Sequence, residues 1–165
     1  MNAFINEFHY DNAGSDVGEF IEIAAPAGFD LTGWSIVLYN GSNGASYGTL
    51  DLSNSTIEDA GAGFGFAAVI AAGLQNGSPD GFALVDGDGQ VVEFLSYEGV
   101  VTATDGPAVE MTSTNVGVSE PGTTPEGQSL QRVGTGEEAA DFTFVGPLAS
   151  SPGAVNEGQS FGDVP

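Results

Sequence analysis

The stretch that decides the fold covers Phe4–Gly28, which reads FINEFHYDNAGSDVGEFIEIAAPAG, and Asp30–Gly41, which reads DLTGWSIVLYNG. Short β-type runs follow one another along it, separated by Gly, Asn and Asp. Within Trp34–Tyr39, every second residue falls on the same face of a strand. The stretch therefore predicts three strands, near Phe4–Tyr10, Glu19–Ala24 and Trp34–Tyr39.

Six further β-type runs follow, near Ser46–Leu50, Gly65–Ile70, Gly81–Val85, Val91–Ser96, Ser129–Val133 and Phe142–Val145. Within Gly81–Val85 both faces are apolar, which is typical of a strand buried on both sides. Many short strands with turn signals between them favour a sandwich or barrel. We expect an ordered loop over 101–127, which is rich in Thr, Ser, Gly and Pro, and one short helical turn within Ser53–Asp59.

The aromatic side chains predict where the core lies. Most of the phenylalanines and the single tryptophan, Trp34, fall on β periodicity, so we expect them in the core. The four tyrosines are expected to be partly exposed, with their hydroxyls hydrogen-bonded.

Beyond the opening stretch, three segments are similar to one known family. They read GLQNGSPDGFALVDGDGQVVEFLSYEG, DGPAVEMTSTNVGVSEPGTTPEGQSLQRVG and SPGAVNEGQSF. Together with the opening they resemble lamin tail domains, in particular the bacterial secreted branch. The resemblance covers essentially the whole chain. It implies one immunoglobulin-like β-sandwich domain over 1–165, with long ordered loops, located outside the cell or on its surface. It implies no activity, because such domains usually accompany enzymes as accessory modules.

The charge balance narrows the range of partners. The chain has 23 acidic residues, no lysine and one arginine, Arg132, for a net charge of -22. Nucleic-acid backbones and anionic membranes are disfavoured, because binding them normally uses Lys and Arg. No apolar stretch is long enough for a membrane helix, so membrane insertion is not expected. There is no cysteine, which excludes disulfides and thiolate metal sites. The expected partners are cations, a basic protein surface or a neighbouring domain.

The loop between the first two predicted strands is the candidate metal site. It gathers four oxygen-bearing side chains within nine residues: Asp11, Asn12, Asp16 and Glu19. Carboxylates and amide oxygens are ligands that Ca²⁺ prefers, and Gly14 and Gly18 allow the backbone to curl around an ion. The sequence thus predicts a Ca²⁺ loop here. The alternative is an Asx-rich turn whose carboxylates face water.

Glu7, near His9, and Glu22, between two isoleucines, lie inside predicted strands. Paired carboxylates can perform acid–base chemistry, as in glycosidases, when they face a sugar-sized groove. We interpret these three residues as structural, with hydrogen bonds to loop backbone. The alternative is a metal-assisted hydrolase that uses Glu7, Glu22 or Asp105 around a metal with an open position.

Three short motifs are interpreted as turns or loops. Gly44–Gly48 matches the G-x-S-x-G pattern, but no helix is predicted after it and the only histidine lies upstream. Asp86–Gly89 fails the EF-hand spacing, because the positions that need Gly and Glu hold Val91 and Tyr97. Gly134–Ala139 lacks the βαβ unit of a dinucleotide site.

The sequence therefore favours an all-β, non-enzymatic extracellular module with a structural or binding role. One alternative is a subunit of a surface fibre or array, assembled by a β-edge or a donated terminal segment. The hydrolase is the other alternative. One histidine, one arginine and no cysteine leave few ways to assemble a catalytic constellation.

Overall fold

The computed structural model describes residues 3–162, which form eleven β-strands in two sheets and one short 3₁₀ helix. The strands are β1 (Phe4–His9), β2 (Phe20–Pro26), β3 (Ser35–Asn40), β4 (Ser46–Asp51), β5 (Phe64–Ile70), β6 (Asp80–Val85), β7 (Val91–Tyr97), β8 (Thr114–Asn115), β9 (Gln128–Gly136), β10 (Phe142–Ala149) and β11 (Gln159–Phe161). The 3₁₀ helix spans Ala139–Asp141. This all-β, two-sheet chain agrees with the sandwich class predicted from the sequence. Within 3–162, no helix is long and apolar enough to cross a bilayer.

The first compact unit contains residues 3–30, 56–72 and 120–162. Its sheet has the order β10-β9-β1-β2-β5, and β11 pairs in parallel with the end of β9. A cluster of aromatic rings packs against this sheet, formed by Phe4, Phe66, Phe142 and Phe161. Phe161 also stacks on Phe64, with 4.5 Å between the ring centroids. The last described segment is therefore tied to the sheet by ring contacts.

The second compact unit contains Leu31–Ser55 and Gly73–Ser119. Its sheet has the order β4-β3-β6-β7-β8. Every residue of β6 is buried, as predicted for Gly81–Val85. Val37 and Tyr39 of β3 pack with Ala83 and Val85 of β6 in one apolar cluster, which the alternation within Trp34–Tyr39 predicts.

All nine predicted strands are present, and two short ones, β8 and β11, were not predicted. β8 has two exposed residues and β11 has three with only one apolar, so neither carries a periodic signal. The segment Ser53–Asp59 has a turn, in which the Ser55 N–H donates to the Leu52 carbonyl, but no helix. The motifs at Gly44–Gly48 and Asp86–Gly89 lie in β-hairpins, as expected of turns.

The prediction of partly exposed tyrosines is wrong for Tyr10, Tyr39 and Tyr97, which are fully buried. Their hydroxyls bind backbone groups of loops instead of water. The Glu120 N–H donates to Tyr10, and the Tyr39 hydroxyl donates to the Asp105 carbonyl. A tyrosine ring can therefore enter the interior when a loop provides a partner for its polar end.

Candidate functional site

β5 is an edge strand of the sheet in the first unit. β5 pairs with β2 on one side, and no strand within 3–162 pairs with its other side. The Ala71 N–H donates to the Glu19 carbonyl at 3.0 Å, which fixes the hydrogen-bonding phase of the β2–β5 pair. In that phase the backbone groups of Ala67 and Val69 face β2, and those of residues 66, 68 and 70 face outward. The outward groups of Phe64 are bonded to residues 60 and 61, so the open edge begins at residue 66.

An apolar groove of about 610 Å³ is lined by the end of this edge strand, residues 68–70, and by residues 16–20, which lead into β2. Ile70 is 82% exposed and Val17, across the groove, is 47% exposed. Other apolar lining residues are Phe20, Ala68, Ala72 and Pro152. Single exposed apolar residues are ordinary, but several around one concave surface mark a binding site. Here that surface includes Ala68 and Ile70, whose backbone groups face outward from the sheet.

A second cavity, of about 370 Å³, lies further toward the start of β5. It is lined by Phe66, Gly153 and the segment that precedes β5, including Glu58 and Asp59. The turn at Pro152 and Gly153 borders both cavities. Pro152 lines the groove, and Gly153 lines the acidic cavity. The edge strand thus contributes residues 68–70 to a mainly apolar groove, which Asp16 and Glu19 also line, and Phe66 to an acidic cavity.

Pro152 and Gly153 form a turn of the C-terminal strap, the name we give to residues 150–162. Two buried carboxylates anchor it. The Ser151 N–H donates to Glu7 at 2.8 Å, and the Gly153 N–H donates to Glu22 at 2.6 Å. These are the hydrogen bonds to loop backbone predicted from the sequence. The position of the groove wall therefore depends on two acidic side chains under the strap.

Glu7 and Glu22 are register partners on β1 and β2, and neither has exposed surface. Ser129 also donates to Glu7, and Asn6 donates to Glu22. Burial raises the pKa of Glu7, although the hydrogen bonds from Ser129 and Ser151 oppose it. Burial also raises the pKa of Glu22, to about 8; the bonds from Gly153 and Asn6 oppose this, and the charge of Glu7 adds to it. The pair therefore favours an extra proton near neutral pH.

His9 forms a buried ion pair that the sequence did not predict. Its Nδ1 lies 3.0 Å from Glu120 Oε1, and its Nε2 lies 3.2 Å from both Asn12 Oδ1 and the Val17 carbonyl. All of these partners are acceptors, so the ring carries a proton on each nitrogen. Burial by itself lowers the pKa of His9, but the hydrogen bond and charge of Glu120 outweigh it, with help from Asn12 and Val17, and the pKa is raised.

Of the four residues of the predicted Ca²⁺ loop, Asp11 and Asn12 contact this ion pair. The Asp11 N–H donates to Glu120, and Asn12 Oδ1 faces His9. Asn12 is buried, and its Oδ1 accepts from the Val17 N–H as well as facing His9. Glu19 is 9% exposed, and Asp11 and Asp16 are half-buried. The Asp16 carboxylate lies 3.5 Å from the Asn12 backbone nitrogen. Across 3–162, no three His, Asp or Glu side chains are arranged to hold a metal ion. Calcium at this loop stays a prediction.

The residues considered for hydrolysis have separate hydrogen-bonding partners. Glu7 and Glu22 accept from donors of the first unit, as described above. The Asp105 carboxylate lies in the second unit and accepts from the Ser46 N–H at 2.8 Å. Trp34, the single tryptophan, is 8% exposed, as expected of a core residue.

Sequence reasoning missed the role of Glu120 and the open edge of β5. Glu120 lies 111 residues after His9, in a loop with no periodic pattern, so only tertiary structure brings them together. The edge had a weak signal. The run FGFAAVI ends in a segment that is apolar on both faces, yet Ala68 and Ile70 are exposed. A strand of that composition is normally covered on both faces.

Comparison with family models, with curated proteins and with solved structures gives no match to this chain. The lamin-tail resemblance and its immunoglobulin-like topology therefore stay predictions. The all-β class and the two sheets follow from the structure itself.

Proposed function

We propose that the chain is a non-enzymatic extracellular binding module whose β5 edge receives an extended polypeptide as an added strand. The observation that carries the proposal is the open backbone of residues 66, 68 and 70 in a strand whose Ala68 and Ile70 line the apolar groove. In strand addition, main-chain hydrogen bonds supply affinity and side-chain pockets supply specificity. This edge offers both.

The composition of β5 supports a binding role for its edge. Soluble proteins usually protect edge strands with Lys, Pro, an inward charge or a bulge, because an open edge invites aggregation. The run FGFAAVI contains none of these residues, and its pairing with β2 has no register shift. An unprotected edge is expected where pairing with another chain is the function.

Location outside the cell belongs to the same proposal and is supported by the resemblance to secreted lamin-tail domains. The same open edge would also suit a subunit of a fibre or array, which is the second candidate function. Two copies that each carry a net charge of -22 repel each other, so we place a different chain on the edge. No observation favours the hydrolase.

Amide hydrogen exchange with a neutral probe peptide, acetyl-TVTVTQTQT-amide, tests the proposal. Thr and Val suit a strand, and the peptide has no charge that could attract it to acidic surface generally. We expect the peptide to slow exchange at residues 68 and 70, whose N–H groups face outward. Ala68→Pro should abolish the effect because it removes an outward donor.

A matched pair of variants separates the groove from the rest of the surface. Ile70→Asp places a carboxylate in the groove, and Met111→Asp places one on an exposed apolar side chain of the other unit. Only Ile70→Asp should weaken binding. Equal weakening by both variants, or no protection at residues 68 and 70 in the unmodified chain, would disprove edge binding.

A further inference from the structure

The chemistry of the partner can be inferred if the proposed edge binding holds, and the inference rests on it. We infer that the occupant of the β5 edge is a cationic extended segment of another protein. Its apolar side chains would face Ala68 and Ile70, and a Lys or Arg further along the same face would reach the acidic cavity at Glu58 and Asp59. Three features support this occupant: the charge of the surface, the layout of the edge and the poor fit of a second copy of the chain.

The surface carries charge of one sign. The single arginine, Arg132, is 5% exposed and lies over the rings of Phe4 and Phe144, with its guanidinium carbon 5.4 and 4.8 Å from their centroids. The single histidine, His9, is 2% exposed and is paired with Glu120. Every exposed ionisable side chain within 3–162 is therefore acidic, and a cationic partner is electrostatically complementary.

The layout of the edge gives the partner a pattern. Side chains alternate along a strand, so residues 66, 68 and 70 share one face. Phe66 lines the acidic cavity, and Ala68 and Ile70 line the apolar groove. Residues 66 and 70 are about 13 Å apart at the rise of an extended strand. An added strand would thus place apolar residues opposite 68 and 70 and a basic residue opposite 66, two positions from the nearer apolar residue and four from the farther one.

A second copy of this chain is a poor occupant for the same reason. The chain has no lysine, and its arginine is buried, so it offers no basic side chain for Glu58 and Asp59. Asp16 and Glu19 border the other end of the groove and would repel another acidic strand. The layout therefore favours a different, basic protein over self-assembly.

Charge variants of the neutral probe test the inference. Acetyl-TVTVTKTKT-amide, acetyl-TVTVTETET-amide and the neutral peptide share their apolar half, and each is also made with the sequence reversed because an added strand can run in either direction. We expect the lysine peptide to bind about tenfold more tightly than the neutral one, from two exposed ion pairs, and the glutamate peptide to bind more weakly than either. The differences should shrink at about 1 M sodium chloride.

The double variant Glu58→Gln/Asp59→Asn locates the effect, with Glu110→Gln/Glu126→Gln as a charge-matched control at exposed sites that line neither cavity. The first variant should remove most of the lysine preference while the neutral peptide binds as before. The control should retain the preference. A lysine preference that survives Glu58→Gln/Asp59→Asn would overturn the assignment of the basic residue to this cavity.

Other outcomes separate the inference from the proposed function. Equal binding of the three peptides, all lost in Ala68→Pro, would leave edge binding standing and overturn the cationic partner. Lysine-peptide binding that persists in Ala68→Pro, with no binding of the neutral peptide, would overturn both. A dimer seen by sedimentation at high salt and lost in Ala68→Pro would make a second copy the occupant and overturn the inference.

Discussion

Glu22 lies in the middle of β2 with no exposed surface, and its two carboxylate oxygens accept from Asn6 and from the strap at Gly153. Its raised pKa, about 8, means that the folded state holds the proton more tightly than the unfolded chain, where the ordinary value is 4.5. The stability from this group is therefore complete below about pH 4.5 and is lost as the pH rises through 8.

Glu22→Gln should remove this pH dependence. At about pH 5 the variant should be less stable by about 1–3 kcal/mol, because the amide turns an NH₂ group toward a donor, either Asn6 or Gly153. The deficit should shrink or reverse by about pH 9, where the unmodified chain carries a buried charge. The measurement is the melting temperature of both proteins across this range at fixed salt.

Glu126→Gln, at an exposed position, is the control for the general effect of removing one negative charge. Its melting temperature should differ from that of the unmodified chain by the same amount at every pH. A Glu22→Gln deficit that stays constant from about pH 5 to 9 would show that Glu22 does not titrate in this window.

His9 also stabilises the folded protein more at low pH than at high pH. In this case the protonated form is a positively charged ring, whereas protonated Glu22 is neutral. Its pKa is raised above 6.5, so its stabilisation is fully present below pH 6.5 and is lost as the pH rises through the folded-state pKa. His9→Ala should destabilise the protein by about 3 kcal/mol near pH 6, because Glu120 is left buried without its cation. The loss, measured by urea unfolding, should be smaller near pH 9.

Nitrogen NMR of the single imidazole provides an independent check. Both ring nitrogens should report a bound proton at pH values where a free histidine is largely neutral. A neutral ring near pH 7 would contradict the ion pair, whatever the stability of His9→Ala.

Neighbouring residues of β5 should respond differently to proline because they face opposite ways. Ala67→Pro removes a donor to β2 and leaves its acceptor there unpaired, which should cost at the upper end of about 1–3 kcal/mol. Ala68→Pro removes a donor that faces outward and should cost about 1 kcal/mol. Thermal unfolding of the two variants measures the contrast. Equal costs would show that the hydrogen-bonding phase derived from Ala71 and Glu19 is wrong.

The Asp11–Glu19 loop carries the calcium prediction. If Ca²⁺ binds the folded state there, it should raise the melting temperature more than sodium does at equal ionic strength, by an amount equivalent to about 2.7 kcal/mol at a hundredfold excess over Kd. Asp16→Asn should remove that excess. Identical effects of the two cations would identify the loop as an Asx turn held by His9 and Asn12.

Sequence reasoning succeeded where a pattern is local and stopped where partners are distant. The alternation within Trp34–Tyr39 and the apolar run at Gly81–Val85 predicted strands, since side-chain direction in a strand has a fixed period. The sequence predicted that Glu7 and Glu22 bond to loop backbone, but it did not identify the loop residues that donate to them. Their donors on the strap lie more than a hundred residues away, and nothing local identifies them. The open edge of β5 depends on which strands pair, which no local pattern encodes.

The whole molecule carries its charge with almost no internal compensation. Its 23 acidic side chains face one arginine and one histidine, and both of these are buried. Mutual repulsion in the folded state exceeds that in the expanded chain, and counterions screen it over about 10 Å at ~0.1 M salt. The melting temperature should therefore rise across a sodium chloride series. A flat or falling trend would contradict this expectation.

The burial of Arg132 also determines how susceptible the chain is to proteases that cleave after basic residues. Without lysine, Arg132 provides the only such cleavage point, and it lies within β9. The carbonyl of the bond to be cut already accepts a hydrogen bond from Asn156 of the strap, at 3.0 Å. Trypsin-type proteases can therefore cleave the chain after Arg132 only once this sheet has opened. The rate at which these proteases degrade the chain is governed by the free energy of that opening. Loop length and loop exposure have no bearing on the rate.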